Sequence, residues 1–225
     1  LQCLKHVVHL SEYFMKHRHL KEMRHSNHPN ALVSSFAEFI EISWKVENWK
    51  TIRPTGLLNQ LYKTAMDTGN VQFMALKQND AHEFLQFFVD NIHEGVKREV
   101  SITISGKPKN DRDKIAKEAM SHFKDYFKSS YSVIVSLFYG QYISTIDTSP
   151  PSRSYDPFMN IQLEIPEHAS TLYDCFESFC SKEVLEDYKG KDPNKKHTKQ
   201  IRFWNFPKIL IVCLKRFKFV NGTFG

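Results

Sequence analysis

At 225 residues, with 41% hydrophobic and 25% charged residues, the chain has the composition of an ordinary soluble protein and the length of one large domain or two small ones. No apolar run approaches the roughly 20 residues of a membrane span, and residues 1–5 lack a signal-peptide pattern, so no membrane partner is expected. The formal charge of +6 would suit nucleic acid, but the lysines gather in two polar stretches, 107–117 and 182–199, with Tyr188 as the one interleaved aromatic. Such stretches read as solvated loops rather than a base-stacking platform, and nucleic acid is not expected as a partner. The chain does not begin with Met, so its true N-terminus is expected elsewhere.

In chain order, Cys3, Val7, Leu10 and Phe14 form a first helical stripe. The polar residues 24–30 interrupt it, with Pro29 as a breaker, and Leu32, Phe36, Phe39 and Ile40 restore the spacing. A connection through Pro54 leads to Leu57, Leu58, Leu61 and Met66, again at helical intervals. Residues 78–96 carry the clearest helical pattern, with Ala81, Phe84, Leu85, Phe88 and Ile92 on one face. Asp80 and Glu83 place negative charge in its early turns, where the helix dipole favours it.

Residues 105–113 have the composition of a surface insertion. From about residue 131 the pattern turns to strands. Residues 132–138 are apolar and β-branched, and Met159, Ile161, Leu163 and Ile165 alternate with polar neighbours. Residues 171–186 return to helix, with Thr171 and Asp174 spaced as a capping box. Residues 201–206 and 209–214 read as strands, the second apolar throughout and so expected to be covered on both faces. Helices first and strands later predict an α+β fold.

The 4 cysteines, Cys3, Cys175, Cys180 and Cys213, sit among apolar neighbours without any Cys-x-x-Cys pair. They read as buried core thiols in a reducing compartment, cytoplasm or nucleus, and none has the surroundings of a nucleophile. His6, His9, His17, His19, His25 and His28 crowd the N-terminal region, but no cysteine or carboxylate completes a ligand set around them. A solvated polar face is the reading there, and neither a metal nor another cofactor is expected. Asp80 and Glu83 project near one helix face. Spacing alone leaves them either an ordinary solvated surface or a receptor for a cationic ligand.

The segment Gln78-Asn79-Asp80-Ala81-His82-Glu83-Phe84-Leu85 resembles the Gln-Gln-Asp-Ala-x-Glu-Phe-Leu box of ubiquitin-specific proteases, the papain-like cysteine deubiquitinases. Leu1-Gln2-Cys3-Leu4 resembles the end of that family's cysteine box, and Ile52-Arg53-Pro54 the step before the Gln box. Phe138-Tyr139-Gly140 resembles the start of the fingers, residues 158–166 the Phe-x-x-Leu-x-Leu-x-Ile-Pro strand, and residues 207–217 the palm strand ending Leu-Lys-Arg-Phe. These motifs keep the family's order across the chain.

The resemblance implies a truncated catalytic domain: thumb helices over about 1–130, β fingers over about 131–206 and the first part of the palm over about 207–225. It implies that no catalytic residue lies within the chain. The nucleophilic Cys is expected before Leu1, and the general-base His with its Asp or Asn partner after Gly225. Gln78, Asp80 and Glu83 would bind the arginine-bearing C-terminal tail of ubiquitin, with ubiquitin and ubiquitinated proteins as partners. The family's fingertip zinc thiolates would fall near Thr148 and Pro151 and near Gly190 and Pro193, where cysteine is missing. Alone, the stretch is expected to be inactive and to fold poorly. The alternative is a non-catalytic ubiquitin-binding protein whose parent has also lost Cys or His.

Overall fold

The computed structural model describes residues 1–23, 28–45, 51–74, 78–186, 188, 196–216, 219–220 and 223–224. Six helices come first: α1 (Gln2–Lys5), α2 (Val8–Met15), α3 (His19–Glu22), α4 (His28–Lys45), α5 (Thr55–Asp67) and α6 (Ala81–Val96), with a 3-10 turn at Val71–Met74. Next are α7 (Asp111–Phe127) and α8 (Val133–Phe138), then β1 (Gly140–Ile146), β2 (Ser152–Phe158), β3 (Asn160–Glu164) and α9 (Leu172–Phe179). The chain closes with β4 (Glu183–Leu185), β5 (His197–Asn205), β6 (Ile211–Lys215), β7 (Phe219–Val220) and β8 (Thr223–Phe224). These elements make two units, residues 1–101 with 128–137 and residues 102–127 with 138–225.

In the first unit the helices are joined through rings. Phe14 of α2 meets Phe36 of α4 edge-on at 5.2 Å, and Phe36 meets Phe88 of α6 at 5.0 Å. All three are fully buried beside Leu10, Leu32, Ile40 and Ile92. His19 belongs to this core as well, against Phe14 at 5.2 Å, which corrects the expectation of a solvated histidine face at that position. Burial lowers its pKa, because the charged imidazolium would have to leave water. His6, His9 and His17 are exposed as expected, whereas His25 lies outside the described residues and His28 opens α4.

The second unit is built on an antiparallel sheet of order β2-β1-β5-β4. Its Ile143 and Tyr155 pack against Ala119 of α7, with Ile115 of α7 and Trp204 of β5 at the margin. A second cluster gathers Phe158, Ile161, Leu163 and Cys175 with Tyr142, Phe176 and Phe203. β3 runs parallel to β6, and β7 pairs with β8. Asp147, just past β1, ties the far end of the sheet: it accepts from the Thr198 N–H at 2.8 Å and from His197 Nδ1 at 3.1 Å.

Several sequence expectations are corrected. Residues 132–138 form helix α8 rather than a strand. Ser132 Oγ accepts from the N–H groups of Ile134 and Val135 and so caps a short buried turn, while an all-apolar run cannot by periodicity tell strand from buried helix. The helix expected over 78–96 begins at Ala81, because Asp80 is its extended N-cap. Pro29 stands in the first turn of α4, where a missing N–H is tolerated, instead of breaking a helix. The insertion at 105–113 gives way at Asp111 to α7, whose start is held by Asn110 Oδ1 accepting from the Asp113 N–H.

The helix over 171–186 stops at Phe179, and Val184 and Leu185 pair with β5 in a strand instead. Its capping box is present, with Asp174 accepting from the Thr171 N–H at 2.8 Å. β6 starts at Ile211, and its residues are half-buried or exposed, so the described residues do not cover it on both faces. Of the cysteines only Cys175 is fully buried. Cys180 and Cys213 are half-buried, and Cys3 is exposed because the buried side of α1 is carried by Leu4.

One close approach decides the start of β1. A Cβ on Gly140 would lie 2.5 Å from Phe158 Cζ and 2.6 Å from the Asn205 carbonyl oxygen. The adjoining register shift at Gln141/Tyr142 leaves Trp204 as an extra residue of β5 opposite β1. Gly140→Ala is therefore expected to cost about 1–3 kcal/mol through overpacking against backbone, read as a lowered denaturation midpoint of the intact protein.

Candidate functional site

The start of α6 is where the sequence and the packing converge. Asp80 has φ −66 and ψ 125, outside the helix, and its Oδ1 accepts from the N–H of His82 at 2.6 Å and of Glu83 at 3.2 Å. Both capping bonds use the same oxygen, so Oδ2 accepts from no described residue. Glu83, in the first turn, is exposed, and its carboxylate has no hydrogen-bond or ion-pair partner among the described residues. Gln78 is exposed just before the cap. Neither carboxylate has a cationic partner among the described residues, in a chain of 31 Lys and Arg against 25 Asp and Glu.

Rings behind this turn hold it in place. Phe84 packs on Phe73 of the 3-10 turn at 5.6 Å and on Phe88 at 6.2 Å, and Phe73 also meets Phe87 at 4.9 Å. Phe84 and Leu85 are half-buried, and Ala81, expected on the core face, is exposed. The burial of α6 falls instead on its later turns, at Phe87, Phe88, Val89, Ile92 and Val96.

Among the recesses formed by the described residues, the two carboxylates line different ones. Asp80 lines a recess of ≈ 340 Å³ with apolar walls from Leu58, Leu61, Tyr62, Phe73 and Phe84. Glu83 lines a second, more polar recess of ≈ 430 Å³ with Asn70, Gln72, Gln86 and Asp90. Phe73 is common to both. Asn79, standing at the second Gln of the motif, lines the Asp80 recess, while Gln78 lines neither.

Sequence reading passed over Asp90. The available signal was its position two helical turns after Glu83 on the same face. Burial first, and then the negative charge of Glu94, push its carboxyl above the usual range. Such a recess, with one exposed and one half-buried carboxylate among amides, is suited to cationic hydrogen-bond donors. No group of three His, Cys, Asp or Glu that could hold a metal ion occurs among the described residues.

The elements on either side of this turn define a class. The α+β, papain-like fold expected from the sequence is the fold observed. It is shared with a chain of the solved SAGA Ubp8/Sgf11/Sus1/Sgf73 DUB module bound to ubiquitin aldehyde, at TM-score 0.70 and 23% identity over 99% of this chain and 45% of that one. The family model described as ubiquitin carboxyl-terminal hydrolase matches residues 1–224, and the chain belongs to that family. Among curated relatives, human ubiquitin carboxyl-terminal hydrolase 2 is 30% identical over 96% of this chain and 37% of its own length. Ubiquitin carboxyl-terminal hydrolase 4 of Saccharomyces cerevisiae is 29% identical over 96% of this chain and 26% of its own length. The chain thus spans less than half the length of these relatives.

Substitutions at Asp80 and Asp90 test the structural work of these acids. Asp80→Ala loses the cap and is expected to cost about 1 kcal/mol, whereas Asp80→Asn retains a capping oxygen and stays near the parent value in urea denaturation. For Asp90 the sign follows from its raised pKa. The stability it contributes is fully present below its unfolded value of about 3.9 and is lost as pH rises through the higher folded value. Asp90→Asn should therefore raise the melting temperature at pH 7 and leave it little changed near pH 3.5, as thermal melts at the two pH values would register.

Proposed function

We propose that the complete protein is a thiol-dependent deubiquitinase and that this stretch supplies its ubiquitin-binding surface. The observation that carries the proposal is the start of α6, where the Oδ2 of Asp80 and the Glu83 carboxylate stand without a cationic partner among the described residues, each at the edge of its own recess. The family membership points the same way. In this reading Asp80 and Glu83 accept charge-assisted hydrogen bonds from the arginines of the ubiquitin tail, and Gln78 steadies the adjacent backbone. Residues of about 1–130 act as thumb, about 131–206 as fingers gripping the body of ubiquitin, and about 207–225 as the first part of the palm.

The chemistry belongs to residues proposed to flank the stretch, a Cys before Leu1 and a His with its Asp or Asn partner after Gly225. The thiolate attacks the isopeptide carbonyl, the His returns its proton to the departing lysine amine, and water then hydrolyses the thioester. Two of the cysteines present, Cys175 and Cys180, fit this division of labour. Cys175 is buried, and burial pushes the Cys180 thiol up, opposite to what a nucleophile needs. The partners are ubiquitin and ubiquitinated proteins rather than nucleic acid or membrane, and the site of action is the cytoplasm or nucleus. No helix among the described residues is long and apolar enough to cross a membrane.

Charge reversal tests the reading. In the intact protein, Asp80→Lys with Glu83→Lys is expected to weaken ubiquitin binding by about 100-fold or more, since each lost charged hydrogen bond is worth about 1.5–3 kcal/mol. Ubiquitin with its tail arginines changed to glutamate should recover part of that loss. Unchanged affinity and turnover in the double variant would remove the assignment. The stretch 1–225 by itself should release no fluorophore from a ubiquitin C-terminal conjugate, and measurable release would place the nucleophile inside it.

A further inference from the structure

The second unit holds a cavity of ≈ 410 Å³ that is lined by none of Gln78, Asp80 and Glu83. Its apolar lining comes from Ile102 and Ile104 of the segment before α7, Met120 and Phe123 of α7, and Trp204 of β5. Lys124 is its one charged lining residue among the described residues, one helical turn beyond Met120. No carboxylate pairs with that amine among the described residues. Gln141 also lines the cavity, buried to 3% exposure and fixed by its Nε2 donating to the Ala119 carbonyl at 3.0 Å.

A volume of this size falls in the range of small-ligand sites, which pair a mainly apolar wall with a few placed polar groups. Phe123 and Trp204 offer flat apolar surface, and Met120, at 49% exposure, leaves a flexible thioether at the solvent side. A neutral apolar ligand would leave the ammonium without a counter-charge, and a cation would face like charge. We propose that this cavity binds a small amphipathic organic anion, its apolar body against Phe123 and Trp204 and its carboxylate on Lys124. The site involves no residue of α6 and no catalytic group, so it stands or falls apart from the deubiquitinase assignment.

The test uses the intact protein and two probes of nearly equal shape, 2-naphthoate and its neutral amide, followed by calorimetry and by quenching of Trp204 emission against a Trp204→Phe control. Saturable binding of naphthoate is expected, with the amide weaker by about tenfold or more, the size of one charge-assisted hydrogen bond. Lys124→Ala should lose that same factor and Lys124→Arg should keep it, both at unchanged melting temperature. Met120→Trp, which fills the mouth with a bulky ring, should abolish binding of both probes. The proposal is overturned if naphthoate shows no saturable binding at millimolar concentration, as when other parts of the intact protein cover the cavity. It is equally overturned if acid and amide bind alike, or if Lys124→Ala binds as the parent does. The Lys124 pair decides the matter even if Met120→Trp does not fold.

Discussion

A continuous run of phenylalanine rings, from Phe14 through Phe36 and Phe88 to Phe84 and Phe73, is the contact on which the start of α6 depends. It links α2, α4, α6 and the 3-10 turn through side chains with few rotatable bonds. Edge-to-face pairs in such a run add about 0.5–1.5 kcal/mol each beyond their buried area. Removing one ring from the middle would cost about 3–5 kcal/mol and loosen the helix at its N-terminal end. For the proposed guanidinium contact rigidity there would matter, because a carboxylate displaced by an ångström no longer satisfies both geometry and distance. The ring of Phe73 also partitions the surface, giving Asp80 an apolar recess and Glu83 a polar one.

In the proposed reading, Asp80 carries two tasks with two oxygens. One satisfies the helix N–H groups that would otherwise lack partners, and the other remains open to a ligand. Capping also orients the carboxylate, so part of the ordering entropy is spent in folding rather than in binding. Glu83 has no such fixing contact and relies on its place in the first turn. The pair therefore combines a preset acceptor with an adaptable one.

The second unit gets its order from polar ties as well as apolar packing. Asp147 is held below the ordinary carboxylate value, first by the Thr198 backbone N–H and further by the Thr198 hydroxyl and His197. Tyr155, packed beneath α7, donates to Glu118 at 2.5 Å, and burial together with that carboxylate pushes its phenol up to about 12. The Asp147 bonds fix one end of the sheet and the Tyr155 bond ties β2 to α7, while Gly140 and the extra residue Trp204 fix the start of β1. Local strand propensity encodes none of them: each depends on a residue far along the chain.

The helical first half, the alternation of β3, the capping box at Thr171 and the acidic motif were legible because each is a short-range pattern. Periodicity and capping chemistry act over four residues or fewer, and the order of motifs carried the family. The face of α6 that is buried, the burial of His19, the helical form of residues 132–138 and the strand at β4 were not legible. An apolar run fits either a helix or a strand until its neighbours are placed, and a histidine reads as polar until rings surround it. Asp90 likewise became part of the site only when Asn70 and Gln72 were brought beside it. The sequence by itself determined the elements with a clear short-range pattern and the acidic pair Asp80 and Glu83. The tertiary structure alone decided which of those residues share a recess, because a recess is made by elements distant in the chain, and only packing sets their separation.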